Sequence, residues 1–295
     1  MPLSPFELHR VGTVAEAGAL LDEHADDAAI YAGGTELLLL LKLGFASYGH
    51  LVDVKPIDEL RRLEILEDRL VIGAAVTHRV LERSELVRAG WPDLARMEGE
   101  VANVRVRSTG SLGGNLAFAD PHSDPATFLL ASGAVVELGR AQTRRRLGID
   151  AFVLGPYETA LAPGEVLCAI EVPRLPEGTG MTHLRLAFHE RPAATVSAWV
   201  RVADGRVAEA RLAVGSVGVR PVLVGGVDEA LNGQSPGAFE PSALAAIGAM
   251  AAEAAEPVTD ADGSADYKEA LVRTLAARAL RQAAMTASAR AEALA

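Results

Sequence analysis

Apolar positions in this chain recur at strand spacing, then at helix spacing, then at strand spacing again. FELHRV, from Phe6 to Val11, reads as a short strand. TVAEAGALLDEHAD follows at helical period, with Thr13 and Glu16 three residues apart as in a capping box. AAIYAGG is a strand running into two glycines, LLLLLKLG a helix apolar enough to be packed on both sides, and HLVDVK (His50 to Lys55) another strand. This succession predicts a small α/β lobe over about residues 1–55.

From Pro56 the pattern changes. A hairpin is expected across Glu67 and Asp68, and Thr77 is placed to cap a helix running through His78 to Val87. Trp91 to Val106 reads as one helix that delivers Val101 to Arg107 into a glycine-rich run. PATFLLASGAVVELG reads as a helix, a C-capping Gly133 and a strand. After a basic stretch with Arg140, Arg144, Arg145 and Arg146, read as a solvated loop or a face for an acidic partner, strand alternation returns. Alternating positions around Ala203 to Gly205 predict a hairpin, and the alanine-rich tail from Pro236 predicts close-packed helices.

Two glycine runs interrupt these elements. IYAGGTEL joins a strand end to Gly33, Gly34 and Thr35, while RSTGSLGGNLAFADPHSD crowds Gly110, Gly113 and Gly114 around Ser111 and Leu112. Such clusters mark tight turns or a backbone in close approach to a ligand, and successive N–H groups there can hold a phosphate. Neither run is the GxGxxG dinucleotide fingerprint or a P-loop. A glycine-rich hairpin turn is the bland reading of the second run. Together, the two suit a diphosphate bridged between two lobes.

Composition narrows the function. The 295 residues, 49% hydrophobic, can bury substantial cores, and a net charge of -11 disfavours a nucleic-acid partner. The apolar runs are shorter than the roughly 20 residues of a membrane span, and no basic segment leads into an apolar signal, so the expected location is cytoplasmic. Cys168 is the single cysteine, in an apolar run where a buried structural thiol is expected; alone it cannot ligate an iron–sulfur cluster. The seven histidines show no metal-ligand spacing, no nucleophile–base arrangement stands out, and neither a catalytic nor a metal-binding residue is assigned.

AGGTE at Ala32 to Glu36 and TGSLGGN at Thr109 to Asn115, followed by Ala119, Asp120, Pro121 and Asp124, resemble the two flavin-binding signatures of the medium, FAD-carrying subunit of molybdenum hydroxylases. That family includes aerobic carbon monoxide dehydrogenases, bacterial xanthine dehydrogenases and aldehyde or N-heterocycle dehydrogenases. The resemblance extends over PFELHRVGTVAEAGALL, ARLAVGSVGVRPV and SADYKEALVRTLAARAL. It implies an α+β fold: a two-lobed FAD-binding domain of the vanillyl-alcohol-oxidase/PCMH type over residues 1–176, its second lobe about 56–176, then a small C-terminal domain of antiparallel sheet and helices over 181–288.

The resemblance also implies which residues meet FAD. In the first run these are Ile30, Tyr31, Ala32, Gly33, Gly34, Thr35, Glu36 and Leu37; in the second, Thr109, Gly110, Ser111, Leu112, Gly113, Gly114 and Asn115. Val101, Asp120, Asp124, Leu167 and Arg185 complete the set. Relatives carry a bulkier flavin-sandwiching residue near Val101, and an Arg-Arg pair followed by an acidic residue where this chain has His189 to Pro192. Asp124 is expected on an FAD sugar hydroxyl, with a helix N-cap as its alternative. His78 is expected at the surface or beside a cap, with contact to flavin or substrate the alternative.

The implied role is electron transfer from iron–sulfur clusters of a small subunit through FAD to an external acceptor. The molybdenum cofactor and two 2Fe-2S clusters are expected on partner chains, a large and a small subunit, in a dimer of heterotrimers. Two other classes stay open: a stand-alone FAD-dependent oxidase and a flavin-free scaffold subunit.

Overall fold

The computed structural model describes residues 3–292; residues 1 and 2, at the start of the first expected lobe, lie outside the described residues. A parallel sheet of β1 (Glu7–Arg10), β2 (Ala28–Tyr31) and β3 (His50–Asp53) runs in the order β1-β3-β2, with the helices Val14–His24 and Leu37–Leu43 in its crossovers. The Thr13 cap forms, its Oγ1 accepting from the Glu16 N–H at 3.1 Å, and the Glu16 side chain reaches back one residue further than in a capping box, its Oε2 accepting from the Gly12 N–H at 2.7 Å. The Leu37–Leu43 helix departs from expectation, because none of its residues is buried and Leu39 and Leu43 are exposed. Leucines follow one another around its whole circumference, whereas a two-turn helix beside a three-stranded sheet has only one flank covered.

The second sheet uses β4 (Leu63–Leu66), β5 (Arg69–Gly73), β6 (Val135–Arg140), β7 (Thr143–Gly148) and, beyond a ribbon of β8 (Val153–Gly155) and β9 (Glu158–Thr159), β10 (Val166–Pro173). Its order is β4-β5-β10-β6-β7, antiparallel throughout. The basic stretch is β7 and its approach: Arg144, Arg145 and Arg146 pair with Glu59, Glu165 and Glu171 of this same chain. Cys168 sits inside β10, where burial pushes its thiol pKa up to about 12.

Several short helices lie against this sheet, and the two long ones expected there are broken. Ser84 ends the helix His78–Arg83 and caps the next, Glu85–Gly90, accepting from the Val87 N–H. The helix from Trp91 stops at Glu100; Val101 is extended, Ala102 has φ 42°, and Asn103 caps Val104–Thr109 by accepting from the Arg105 and Val106 N–H groups. A short polar side chain that bonds its own downstream backbone competes with helix continuation at both breaks.

The third sheet, β11 (Thr179–Ala187), β12 (Pro192–Ala203), β13 (Arg206–Gly215) and β14 (Val222–Leu223), is antiparallel and runs in chain order. Asp204 and Gly205, both at positive φ, make the predicted β12–β13 turn. The helices Pro241–Ala255 and Ala265–Glu292 pack on it through small residues. A Cβ on Gly180 would stand 2.2 Å from the Ala283 carbonyl oxygen, so close approach needs both the glycine and the alanines. One core fills the first two sheets and their helices, and a second lies between the third sheet and the C-terminal helices. Trp199 Nε1 donates to the Ala131 carbonyl at 2.9 Å and ties β12 to the helix Asp124–Ser132 of the middle unit.

Candidate functional site

The two glycine runs meet at one cleft of about 430 Å³, where all three units contribute. Ile30 and Ala32–Leu37 form one wall, and Val101, Ser111, Gly114, Asn115, Asp120 and His122 to Pro125 another; Tyr157 and Glu190 to Pro192 line the rim.

In the first run the chain leaves β2 and turns at Gly34, whose φ is 70°. The N–H groups of Gly33, Gly34, Thr35 and Glu36 make no hydrogen bond among the described residues. They form a row of donors ahead of the helix Leu37–Leu43, a ready site for an anion.

The second run differs from the turn read in the sequence. Ser111 is extended and caps the helix Leu112–Phe118, so Gly113 and Gly114 occupy a first helical turn. The Leu112 and Gly113 N–H groups donate to the Val76 and Ala74 carbonyls, both at 3.0 Å, and the Gly114 N–H donates to Ser111 Oγ at 3.1 Å. The amides of Leu112 to Asn115 are therefore engaged within the protein, whereas that of Ser111, which lines the cleft, makes no hydrogen bond among the described residues. These glycines serve close packing instead: a Cβ on Gly113 would stand 2.4 Å from Ala74 Cβ, and one on Gly33 would stand 2.3 Å from the Thr109 carbonyl oxygen. Gly114 is the exception, since an added Cβ would meet only Ser111 Oγ, at 3.0 Å. It leaves the cleft wall bare.

Of the residues assigned to the cofactor, Tyr31, Thr109, Gly110, Leu112, Gly113, Leu167 and Arg185 lie outside the cleft lining. Leu112 and Leu167 are core residues, because the helix face and the β10 interior that carry them turn inward. Tyr31 supports the Lys55 ammonium over its ring, and Thr109 and Gly110 underlie Gly33. Arg185 works behind the wall, donating to the Glu100 and Glu190 carbonyls.

Asp124 is buried at the first helical position; Ser123 precedes it as the cap residue, so Asp124 is not the N-cap. Its Oδ1 lies 3.2 Å from His183 Nε2 and 3.1 Å from Arg185 Nε, which leaves Oδ2 toward the cleft. Across the mouth, Arg191 links two walls, 2.8 Å from Glu36 Oε2 and 3.2 Å from Asp120 Oδ2. Burial works against that guanidinium charge, but Asp120 and Glu36 outweigh it and hold the pKa above its usual value. Burial, then Asp120, raises the pKa of the Tyr157 hydroxyl above its ordinary value.

His78 stands beside the Thr77 cap as expected, but it is buried rather than at the surface and lines the cleft, with Nδ1 2.6 Å from Glu98 Oε2. Twenty positions separate the pair, too many for a local motif to announce it. Tyr157 and Arg191 were likewise missed as lining residues. The run GPYET and the unusual His189 to Pro192 segment were the only local signals.

FAD fits these residues. Unbonded amides suit its diphosphate, a glycine-bared wall admits a flat group, and buried Asp124 and half-buried Asn115 line the cleft where sugar hydroxyls would lie. Residues 4–175 match the family model for the FAD binding domain in molybdopterin dehydrogenase, and residues 189–283 match that for the CO dehydrogenase flavoprotein C-terminal domain. The chain belongs to this family, the FAD-binding subunits of molybdenum hydroxylases. It is 35% identical over 280 residues to the carbon monoxide dehydrogenase medium chain of Hydrogenophaga pseudoflava, covering 94% of this chain and 96% of that one. The nicotine 6-hydroxylase medium subunit of Paenarthrobacter nicotinovorans is 30% identical over 258 residues, 88% and 90% of the respective chains. A solved structure of the Hydrogenophaga pseudoflava carbon monoxide dehydrogenase, in a form lacking the Mo-pyranopterin moiety, superposes with a TM-score of 0.91 at 34% identity, over 96% of this chain and 98% of that chain.

Proposed function

We propose that this chain holds FAD in the three-walled cleft and passes electrons from the iron–sulfur clusters of a small subunit to an external acceptor, beside a large subunit carrying the molybdenum cofactor. The observation that carries this reading is the row of four unbonded N–H groups at Gly33–Glu36 in the same cleft whose lining is bared at Gly114. Those amides and the Thr35 hydroxyl hold the diphosphate, and Asp124 Oδ2 accepts from a sugar hydroxyl, a charge-assisted bond worth roughly 1.5–3 kcal/mol. Val101, at the break between two helices, closes the cleft with a smaller apolar surface than an aromatic residue would provide. Arg191 with Glu36 and Asp120 fixes the rim. When bound, FAD supplies the store that takes electrons singly and delivers them in pairs.

A single cysteine leaves this chain without thiolates for a cluster relay, so its electrons come from another chain. The assembly is a dimer of heterotrimers in the cytoplasm, and the free thiol of Cys168 suits that reducing compartment. The test is anaerobic: the isolated, FAD-loaded chain is mixed with carbon monoxide, aldehydes, purines or N-heterocycles while flavin absorbance is followed. The absorbance stays constant until cluster-bearing and molybdenum-bearing chains are added. Rapid bleaching by any substrate without them refutes the reading in favour of a stand-alone oxidase.

A further inference from the structure

Three of the chain's seven histidines converge far from one another in sequence. His9 comes from β1, His24 from the last turn of the helix Val14–His24, and His50 from the first position of β3. Their ligand-capable nitrogens lie within 4.8 Å of one another. His9 Nε2 is 2.9 Å from His50 Nδ1, and the His24 ring stacks on His50 with centroids 3.6 Å apart. Glu7 Oε1 stands 3.8 Å from His9 Nδ1, and its Oε2 stands 4.0 Å from His50 Nδ1.

Such a group differs from the other histidine cluster in the fold. At His122, Asp260 and Asp262 an internal cation is already present, because the buried Lys268 ammonium pairs with Asp260. Around His9, His24 and His50 the contacts among the rings are nitrogen to nitrogen or face to face, and the nearby charge is the Glu7 carboxylate. Neutral imidazoles are borderline donors that favour zinc-class divalent ions, with metal–nitrogen bonds of about 2.0–2.1 Å. All three are half-buried, and binding an ion requires the stacked His24 and His50 rings to turn so that their nitrogens converge.

We propose that His9, His24 and His50 form a binding site for a divalent transition-metal ion of the zinc class, with Glu7 as the fourth ligand. The His9–His50 hydrogen bond requires a proton on one of its two nitrogens. Metal binding moves that proton to the other nitrogen of the same ring and frees the first nitrogen to coordinate, with no net change in proton count. The site lies at the start of the parallel sheet, whereas the glycine turn follows the end of β2. It therefore clamps β1, the first helix and β3 together at the edge opposite the cleft, and its role is to stiffen the lobe that presents the Gly33–Glu36 amides.

The experiment uses the full, tag-free chain, stripped with chelator and titrated with Zn²⁺ by calorimetry and with Co²⁺ by visible absorption. One ion per chain, the absorption bands of a four-coordinate Co²⁺ centre and a raised melting temperature are expected. His24→Ala and His50→Ala lower Zn²⁺ affinity by about 100-fold or more and Glu7→Gln by about tenfold, whereas His189→Ala leaves it unchanged. If the alanine variants fail to fold, the zinc X-ray absorption spectrum of the unmodified chain still decides the matter, by showing or lacking a shell of three imidazoles. Absence of a stoichiometric ion, or binding that survives loss of either histidine, overturns the site; Glu7→Gln binding at full affinity removes Glu7 from it.

Discussion

The two glycine runs look alike in sequence and act differently in the fold. Ala32–Glu36 ends a strand, turns at Gly34 and leaves four N–H groups unbonded, while Thr109–Asn115 enters a helix whose first amides are already engaged by Val76, Ala74 and Ser111. The first run supplies donors. The second supplies, beside the single Ser111 amide, mainly proximity: Gly110 and Gly113 let backbones approach, and Gly114 clears the cleft wall. A glycine cluster thus reports that something comes close, and only the neighbours reveal whether it is a ligand or the protein's own backbone.

The sharpest way to break this comparison is to add a methyl group at each kind of glycine. Gly33→Ala places a Cβ against the Thr109 carbonyl and Gly113→Ala places one against Ala74. Each should cost roughly 3 kcal/mol of stability in urea unfolding, as overpacking does when the obstacle cannot move. Either variant unfolding like the parent would mean that the two runs do not pack as described.

Gly114→Ala separates binding from folding. Replacing a helical glycine gains up to about 1 kcal/mol, and disturbing the Ser111 cap costs about 1 kcal/mol, so stability should change little. FAD affinity should fall by about tenfold or more, or about 1.4 kcal/mol, measured by flavin fluorescence during titration. Full affinity in a stable Gly114→Ala protein would move the cofactor off this wall.

The smallest expected effect comes from acid. The Glu82 carboxylate accepts from Arg79 and from Arg107 at the entrance to the second run. Burial alone would raise its pKa, but the two arginines outweigh burial and lower it below the ordinary 4.5. A depressed folded value means that this stabilisation is present above the unfolded pKa near 4.5 and is lost as pH falls through the folded value. Amide exchange in Val104–Thr109, corrected for the intrinsic rate, should therefore accelerate on acidification while that of Gly33–Glu36 does not. Glu82→Gln should remove the pH step; its persistence would assign the step to another group.

Local chemistry made much of the architecture readable. The Thr13 cap, the positive-φ turn at Asp204 and Gly205, and the C-cap at Gly133 all form where short-range patterns place them, because each depends on residues within a few positions. The helix breaks at Ser84 and Asn103 escaped because these side chains bond their own downstream backbone, which hydrophobic period does not register. Arg191, Tyr157 and the His78–Glu98 pair escaped because their partners lie on other elements.

From its sequence alone this chain declared its family and its FAD-binding domain, since signature order does not depend on how the chain is packed. Which amides stay unbonded, which glycines face the cleft and which three histidines meet at the edge of the first sheet were decided only by tertiary structure. Hydrogen-bond vacancy and ligand convergence are relations between distant segments, and the position of a residue in sequence carries no information about what will stand 3 Å from it once the lobes close.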